Sequence, residues 1–381
     1  MTGRAALGAL AAVVLLGLNL RTGVASLPPL LDDVRADLRL SGTAAGVLTA
    51  LPVLAFGTFA PFVPRLVRRL AIERLLALCA AVTCAALALR GAGGTPALYA
   101  GTLLAGAGVA IAQGALPVYI RTAHAGSTGP LTGAFSMSLT LGAALAAALA
   151  VPLADGLGSW EASLAAWSLP ALAAALVWSA RTPGTRVSGP MPPPLRRHRL
   201  AWAVALYFGI QSMAFYIGLA WLPSFLADDG GYSERAAGLL QALGALVQIP
   251  AAFVVPVLAT RRRGQGPLLA AIVTFSAIGG LGLLAAAGAA PLWMVVLGLG
   301  QGGALGLALI LPVLRGGEPG TVATLTAMTL TVGYLTAAAG PWIAGVLHDL
   351  SGGWAATLVF MIAVTLAQAV PGVPATRDRR I

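Results

Sequence analysis

The segment AAGVLTAL at residues 44–51 recurs 192 residues later as AAGLLQAL at residues 236–243. Both copies lie within long apolar stretches. The glycine-rich segment at 106–114 returns at the same offset at 298–306, and each copy is followed by Leu-Pro-Val and then an arginine. The sequence therefore predicts two related halves, each built from the same order of helices.

The composition is typical of an integral membrane protein. Hydrophobic residues make up 58% of the chain and charged residues 9%, and the mean hydropathy is +0.89. Soluble domains usually carry about 25% charged residues. The net charge of +11 would suggest a nucleic-acid partner in a soluble protein, but in a membrane protein its position along the chain matters more.

The apolar runs are long enough to cross a bilayer as helices, which requires about 20 residues each. We number the predicted runs spans 1 to 12 in chain order. They are 5–31, 41–63, 72–91, 96–120, 127–153, 161–181, 201–226, 234–259, 267–288, 291–313, 320–347 and 353–371. The predicted fold is an all-α integral membrane protein with twelve transmembrane helices in two parallel six-helix repeats.

The arginines indicate the orientation. With a cytoplasmic N-terminus, 18 of the 23 arginines lie inside and 4 lie outside, and Arg21 is the remaining one. Cytoplasmic loops of membrane proteins carry such an excess of positive charge. We therefore expect both termini in the cytoplasm.

Six spans in each half place the second half in the same orientation as the first, so the repeats are parallel. We predict an N-terminal bundle at 1–181 and a C-terminal bundle at 201–381. The segment between them, 182–200, is rich in proline and arginine and lacks periodicity, as is typical of a cytoplasmic linker.

Arg21 is the one charged residue deep within a predicted span. A cation at the bilayer centre costs about 2.5 to 3.5 kcal/mol on insertion scales, so it normally faces a protein interior or a wet cavity. All twelve acidic residues lie in predicted loops or at span ends, which leaves a substrate or neutral acceptors to meet this charge. The alternative is a structural arginine bonded to carbonyls near Pro28 and Pro29. Asn19 lies on another side of the helix and is expected to brace span 1.

Polar side chains from several spans share the central layer when each residue is given a rise of about 1.5 Å. In span 7, Tyr207, Gln211 and Phe215 follow at four-residue steps and are expected to form one pocket wall. For each Gln or Tyr alone, hydrogen bonding between helices is an equal alternative. The predicted substrate-binding residues are Arg21, Gln113, Tyr207, Gln211, Tyr216, Gln301 and Tyr334.

Several motifs resemble the cyanate porter branch of the major facilitator superfamily. They are NLR at 19–21, SGTAAGVLTALPVLAFGTF at 41–59, QSMAFY at 211–216 with AWLP at 220–223, GQGGA at 300–304, and VGY at 332–334 with LHD at 347–349. The resemblance covers nearly the whole chain. It implies a rocker-switch secondary transporter in which spans 1, 4, 7 and 10 line a central cavity. The branch includes bacterial cyanate and nitroimidazole transporters.

The planar donor fork of arginine suits small planar anions. We therefore expect a secondary transporter that moves a small anion, cyanate-like or organic, across the bacterial cytoplasmic membrane. An exporter of neutral or weakly polar compounds, such as nitroimidazole-like drugs, is the alternative. If transport is coupled to protons, His348, Asp33 or the substrate itself must carry the proton. An enzyme is disfavoured, because paired intramembrane aspartates, a Ser/His pair and an HExxH run are all absent from the sequence.

We expect no cofactor, no bound metal and no nucleic-acid partner. The histidines His124, His198 and His348 lie near helix ends and do not cluster in the sequence. The expected partners are a small-molecule substrate and the lipid bilayer, and the protein is expected to be a monomer.

Overall fold

A computed structural model of the protein describes residues 3–187 and 195–381. This part of the chain forms helices joined by short turns, without any strand. Twelve helical spans among these residues are long and apolar enough to cross a membrane, which confirms the predicted fold class. Their bounds are Leu7–Leu30, Ala44–Arg69, Ile72–Arg90, Thr95–Ala123, Ala125–Leu157, Trp160–Ser179, Arg199–Asp228, Glu234–Thr260, Gly266–Ala285, Ala287–Gly316, Pro319–Ser351 and Ala355–Ala375.

Some spans contain more than one helix. A short helix at Leu31–Leu38 also follows span 1. The α-helices in the described residues are Gly3–Ala25, Leu31–Leu38, Gly42–Phe59, Val63–Arg69, Ile72–Arg90, Thr95–Ala123, Thr128–Leu157, Trp160–Ala166, Ser168–Ser179, Arg199–Asp228, Glu234–Thr260, Gly266–Ala285, Ala290–Gly316, Pro319–Ser351, Ala355–Ala367 and Ala369–Ala375.

Proline explains where the spans differ most from the predicted bounds. Span 2 continues past residue 63, because the 3-10 turn Ala60–Phe62 leads directly into the helix Val63–Arg69. Proline is tolerated in such first turns, where its missing N–H is not needed. In span 1 the α-helix ends at Ala25 and a separate 3-10 turn follows at Pro28–Leu30. The last carbonyls of the first helix therefore need partners from outside it.

The internal contacts group the chain into two compact units. Unit 1 contains Met1–Ser127, Ser138–Pro192 and Glu318–Ala327, and unit 2 contains Thr128–Met137, Pro193–Gly317 and Met328–Ile381. The predicted linker at 182–200 includes residues 188–194, which lie outside the described part of the chain. The first linker residues are attached to unit 1, where Ile72 N donates to Thr185 O over 2.9 Å and the buried Glu73 carboxylate accepts from Thr185 N.

In unit 1, span 4 touches span 2 through a glycine. A Cβ built on Gly106 would lie 2.7 Å from the Cβ of Ala55 and 3.4 Å from the Cα of Pro52. Contacts under 3.0 Å essentially never occur for a real Cβ, so only glycine fits between these helices. Small residues of this kind allow membrane helices to approach closely.

In unit 2, the same contact recurs between spans 10 and 8. A Cβ on Gly298 would lie 2.6 Å from Gly244 O and 3.2 Å from the Cβ of Val247. Each of these residues stands 192 positions after its counterpart in unit 1. The repeat in the sequence is therefore a repeat of helix packing within each unit.

The helix starts repeat as well. Ser41 Oγ accepts from Ala44 N at 3.2 Å, and Ser233 Oγ accepts from Ala236 N at 3.3 Å. A serine at this position satisfies one of the free N–H groups of the first helical turn. The repeated octapeptides at 44–51 and 236–243 thus begin three residues after equivalent serine caps.

Candidate functional site

Arg21 lies in span 1, within unit 1, and its side chain is half-buried. Its guanidinium carbon lies over the ring of Phe56 in span 2, 5.9 Å from the ring centroid, and Phe56 is fully buried. An aromatic face attracts a cation at this distance. A guanidinium held on a ring face can still use the N–H groups in its own plane as donors. The structure therefore holds a cation in the middle of span 1.

The end of the span 1 helix is bonded to a second buried arginine. Arg90 is fully buried, and its Nη1 donates to Gly23 O over 2.6 Å. Its Nε and Nη2 have no hydrogen-bond partner among the described residues. Gly23 O is one of the helix-terminal carbonyls, where a positive charge is favourable. No sequence pattern indicates this role, since Arg90 stands at the end of span 3, where an arginine is usually solvated.

Asn19 braces span 1, as expected. Its Nδ2 donates to Leu15 O at 2.7 Å and to Pro170 O in span 6 at 3.1 Å. Gln113 in span 4 is also buried within unit 1. Arg21 and Gln113 are the predicted site residues that unit 1 contributes.

Two predicted site residues of unit 2 lie around Phe208. Gln211 Nε2 donates to Phe208 O at 3.2 Å and to Ser212 Oγ at 2.6 Å. The ring of Tyr334 meets the ring of Phe208 edge to face, with 5.4 Å between centroids. Gln211 and Tyr334 are both buried. The structure thus brings these two candidates to the same part of unit 2.

Unit 2 also contains a narrow cleft between spans 7, 8 and 10, which we call the glutamine cleft. It is lined by Phe215, Gly218, Leu219, Leu222, Gln241, Gly244, Gln248, Met294, Leu297, Gly298 and Gln301. Gln248 and Gln301 are buried, and the buried Oε1 of Gln241 has no hydrogen-bond partner among the described residues. Carboxamides offer both donors and acceptors. The cleft has a volume of about 20 Å³, which is room for a water-sized group that these carboxamides can bond.

Gln241 and Gln248 were missed as site residues by the sequence reasoning. They stand seven positions apart and lie on one face of span 8, two turns from each other. Two glutamines at this spacing in an otherwise apolar helix are a signal that could have identified them. Gln301, which was predicted, lines the same cleft.

The expected wall along span 7 is not continuous. Phe215 lines the glutamine cleft, whereas the fully buried ring of Tyr207 lies 3.2 Å from the position of a Cβ on Gly372 in span 12. Each four-residue step turns a helix by about 40°, so two steps move a side chain by about 80°. The Tyr207 hydroxyl has no hydrogen-bond partner among the described residues. Tyr207 therefore lies apart from the other candidates.

Tyr216 remains half-buried in span 7, and its ring meets the edge of Phe215 at 5.4 Å. Through Phe215 it stands next to the glutamine cleft. Among the predicted residues of unit 2, Gln211 and Tyr334 therefore both contact Phe208, and Gln301 lines the cleft together with Phe215, the ring that Tyr216 contacts.

The two titratable groups considered for proton coupling differ in their surroundings. His348 is stacked on Trp354 with 4.0 Å between ring centroids, and its Nδ1 has no hydrogen-bond partner in the described structure. Trp354 in turn donates to Asp228 Oδ2 at 3.0 Å. Asp33 is exposed on the short helix after span 1. In residues 3–187 and 195–381, no three His, Cys, Asp or Glu side chains are grouped as metal ligands.

A further polar cluster lies where spans 4 and 6 end in unit 1. Tyr119 Oη accepts from Arg181 Nη1 at 3.1 Å and lies 3.2 Å from His124 Nε2. Burial, together with the nearby charge of Arg181, lowers the pKa of His124 below its ordinary value. A neutral His124 can accept a hydrogen bond from the Tyr119 hydroxyl at Nε2, which a protonated ring cannot do.

A family model described as Major Facilitator Superfamily matches residues 10–338. An uncharacterized transporter of Bacillus subtilis strain 168 is 34% identical over 376 residues, which cover 97% of this chain and 93% of that protein. The 2-nitroimidazole transporter of Escherichia coli K12 is 32% identical over 395 residues, covering 100% of this chain and 98% of its own length. The cyanate transport protein of the same organism is 31% identical over 354 residues, 90% of each chain.

A solved structure shares the fold. The proton:xylose symporter bound to 6-bromo-6-deoxy-D-glucose superposes with a TM-score of 0.76 at 15% identity, covering 96% of this chain and 94% of that one.

Proposed function

Since the chain belongs to the Major Facilitator Superfamily and is therefore a secondary transporter, we propose that its cargo is a small anion, cyanate-like or organic. The proposed setting is the bacterial cytoplasmic membrane, with both termini in the cytoplasm. The proposed moving bodies are the bundles at 1–181 and 201–381, joined by the segment at 182–200, in a protein that acts as a monomer.

Arg21 over Phe56 is the observation that carries this proposal. The guanidinium carbon lies 5.9 Å from the ring centroid, and the side chain is half-buried in the middle of a membrane span. Placing an arginine within a membrane span costs free energy. Its presence there is therefore explained either by contacts that stabilise the protein or by a function that needs the charge. An anion bound at the guanidinium would gain a charge-assisted hydrogen bond, about twice as strong as a neutral one.

The positions around Arg21 support a role in binding. The bond from Arg90 to Gly23 O holds the helix terminus two residues away, and Asn19 is bonded to span 6. Fixed neighbours on both sides limit the freedom of Arg21, and pre-organised donors lose less entropy on binding. Gln113, buried in the same unit, is the neutral candidate beside Arg21 in the proposed site.

The cargo class can be tested by a thermal-shift screen on the purified protein. We expect cyanate and small carboxylates to raise the melting temperature, with a shift that grows with the logarithm of concentration, as a specific ligand of the folded state requires. 2-Nitroimidazole serves as the neutral comparison. An anion series that leaves the melting temperature unchanged at all concentrations would count against the anion proposal.

A neutral or weakly polar cargo is the second candidate function. The glutamine cleft favours it, because Gln241, Gln248 and Gln301 present uncharged donors and acceptors beside the apolar Phe215 and Leu222. Such a lining suits a planar heterocycle with polar substituents better than a bare anion. A shift produced by 2-nitroimidazole and abolished by Gln301→Leu, but unaffected by Arg21→Ala, would favour this candidate over the first.

A further inference from the structure

A groove in unit 2 lies between spans 9 and 12, and none of the predicted substrate-binding residues lines it. Its volume is about 520 Å³, and its mostly apolar lining includes Gly264, Gly266, Leu269, Val273, Val373 and Arg377. Ala270, Thr274 and Val373 are exposed although they lie in membrane spans. Exposed, mostly apolar surface on helices long enough to cross a bilayer is suited to contact with acyl chains.

Positive charge surrounds one end of this groove. Arg377 lines the groove directly, and the exposed Arg261, Arg262 and Arg263 immediately precede Gly264, which also lines it. No acidic residue lines the groove. By the excess of arginine, this end of spans 9 and 12 is the cytoplasmic one, where anionic lipids attract juxtamembrane arginines.

The basic end of the groove is held in place by buried hydrogen bonds. Gln265 N donates to Thr376 O at 3.0 Å, which joins the start of span 9 to the end of span 12. Gln265 Nε2 donates to Arg262 O at 3.0 Å and so fixes the arginine turn. The buried Arg315 donates from Nε to Ala375 O at 2.8 Å and from Nη2 to Gln265 Oε1. The groove is therefore formed before any ligand arrives, which lowers the entropic cost of binding.

We propose that this groove binds one anionic phospholipid, with an acyl chain along Leu269, Val273 and Val373 and the headgroup phosphate at Arg377 and the Arg261–263 turn. The apolar lining alone would accept any acyl chain. Selection for a negative headgroup comes from the arginines, because the groove offers them no carboxylate of its own. The proposal is independent of the transported substrate, since none of the predicted substrate-binding residues lines the groove.

Glycine positions allow a clean test by filling the groove. A Cβ on Gly266 would meet nothing within 4 Å, so Gly266→Leu can place a side chain in the groove without a clash. Gly288 is the matched control, since a Cβ there also meets nothing within 4 Å and it does not line the groove. The charge is tested by Arg377→Gln, with Arg379→Gln as the control, because Arg379 is exposed nearby but does not line the groove.

The experiment is native mass spectrometry of the purified full chain, titrated with dioleoylphosphatidylglycerol or dioleoylphosphatidylcholine. We expect one tightly retained phosphatidylglycerol in the wild type and weaker retention of phosphatidylcholine. Gly266→Leu should lose the tight site while Gly288→Leu keeps it. Arg377→Gln should weaken phosphatidylglycerol binding about fivefold, the effect of one arginine near a charged membrane surface. Equal retention of the two lipids by the wild type, or tight binding that survives Gly266→Leu, would overturn the proposal.

Discussion

Gly298 of span 10 lies directly against Gly244 of span 8, so that a Cβ on Gly298 would stand 2.6 Å from Gly244 O. The contact lies beside the glutamine cleft, which both glycines line. Close approach at this point fixes the distance between the helices that carry Gln248 and Gln301. The glycine contact therefore sets the width of the cleft.

Gly298→Ala should destabilise the protein. The added methyl group meets backbone of span 8, which cannot move aside as a flexible side chain would, and overpacking of this kind typically costs about 1 to 3 kcal/mol. Gly238→Ala in span 8 is the control, because a Cβ there meets nothing within 4 Å. Alanine in a helix interior is favoured over glycine by up to about 1 kcal/mol, so the control should keep or raise the melting temperature. Equal melting temperatures for the two variants would show that the contact is looser than described.

The glutamine cleft is expected to contribute hydrogen bonds to a neutral cargo. Gln248→Leu and Gln301→Leu should each weaken binding of 2-nitroimidazole by about two- to tenfold, the loss of one net hydrogen bond of about 0.5 to 1.5 kcal/mol. The matched control is Gln368→Leu, since Gln368 is equally buried but does not line the cleft. Dissociation constants from thermal-shift titration measure the effect. Binding that is unchanged in both cleft variants would remove the cleft from the site.

His124 is expected to make stability depend on pH. Its pKa in the folded protein lies below the ordinary value of about 6.5. Between the lowered and the ordinary pKa, the unfolded state binds more protons, so stability falls as the pH drops below about 6.5 and is constant above it. The melting temperature of the wild type should therefore decrease between pH 7.5 and pH 5.

His124→Gln should remove part of that decrease, while His198→Gln, at an exposed position outside the cluster, should retain it. Melting curves of the three proteins at matched ionic strength provide the comparison. If His124→Gln loses as much stability on acidification as the wild type, the histidine does not titrate in this way.

Both termini are expected in the cytoplasm, as the distribution of 18 arginines against 4 requires. A reporter fused after Ile381 should therefore read as cytoplasmic. One fused after Gly288, in the 3-10 turn Ala287–Ala289 that precedes the helix Ala290–Gly316 of span 10, should read as periplasmic. The opposite pair of signals would show that the topology is inverted. The groove between spans 9 and 12 would then lie at the outer leaflet.

Hydropathy and the repeat were sufficient to predict the spans. Each span must be apolar over the thickness of a membrane, and the two halves of the chain repeat the same helix packing. The glycine at 106 and its partner at 298 could be located from the repeat alone. The burial of Arg90 could not be predicted, since a terminal arginine of a span is equally compatible with a solvated position. Its bond to Gly23 O depends on where the span 1 helix ends.

The candidate site was predictable only in part. Gln301 was identified from its depth, but its proximity to Gln241 and Gln248 follows from the close contact at Gly298, which a single helix pattern does not reveal. Tyr207 was grouped with Phe215 by spacing, and the gradual turn of the helix separates them. Sequence periodicity therefore predicts which side chains share a helix face more accurately over one turn than over two.

The central claim is that Arg21 binds an anionic cargo. The decisive measurement is the dissociation constant of the anion that most stabilises the wild type, compared between Arg21→Ala, Arg21→Lys and the exposed control Arg69→Ala. We predict that Arg21→Ala loses binding while its ligand-free melting temperature stays at the wild-type value. Arg21→Lys should restore little binding, because a point charge cannot reproduce the planar donor fork of arginine. Arg69→Ala should bind the anion with wild-type affinity. A structural arginine would instead lower the ligand-free melting temperature when removed. An Arg21→Ala protein that binds the anion with wild-type affinity would contradict the account.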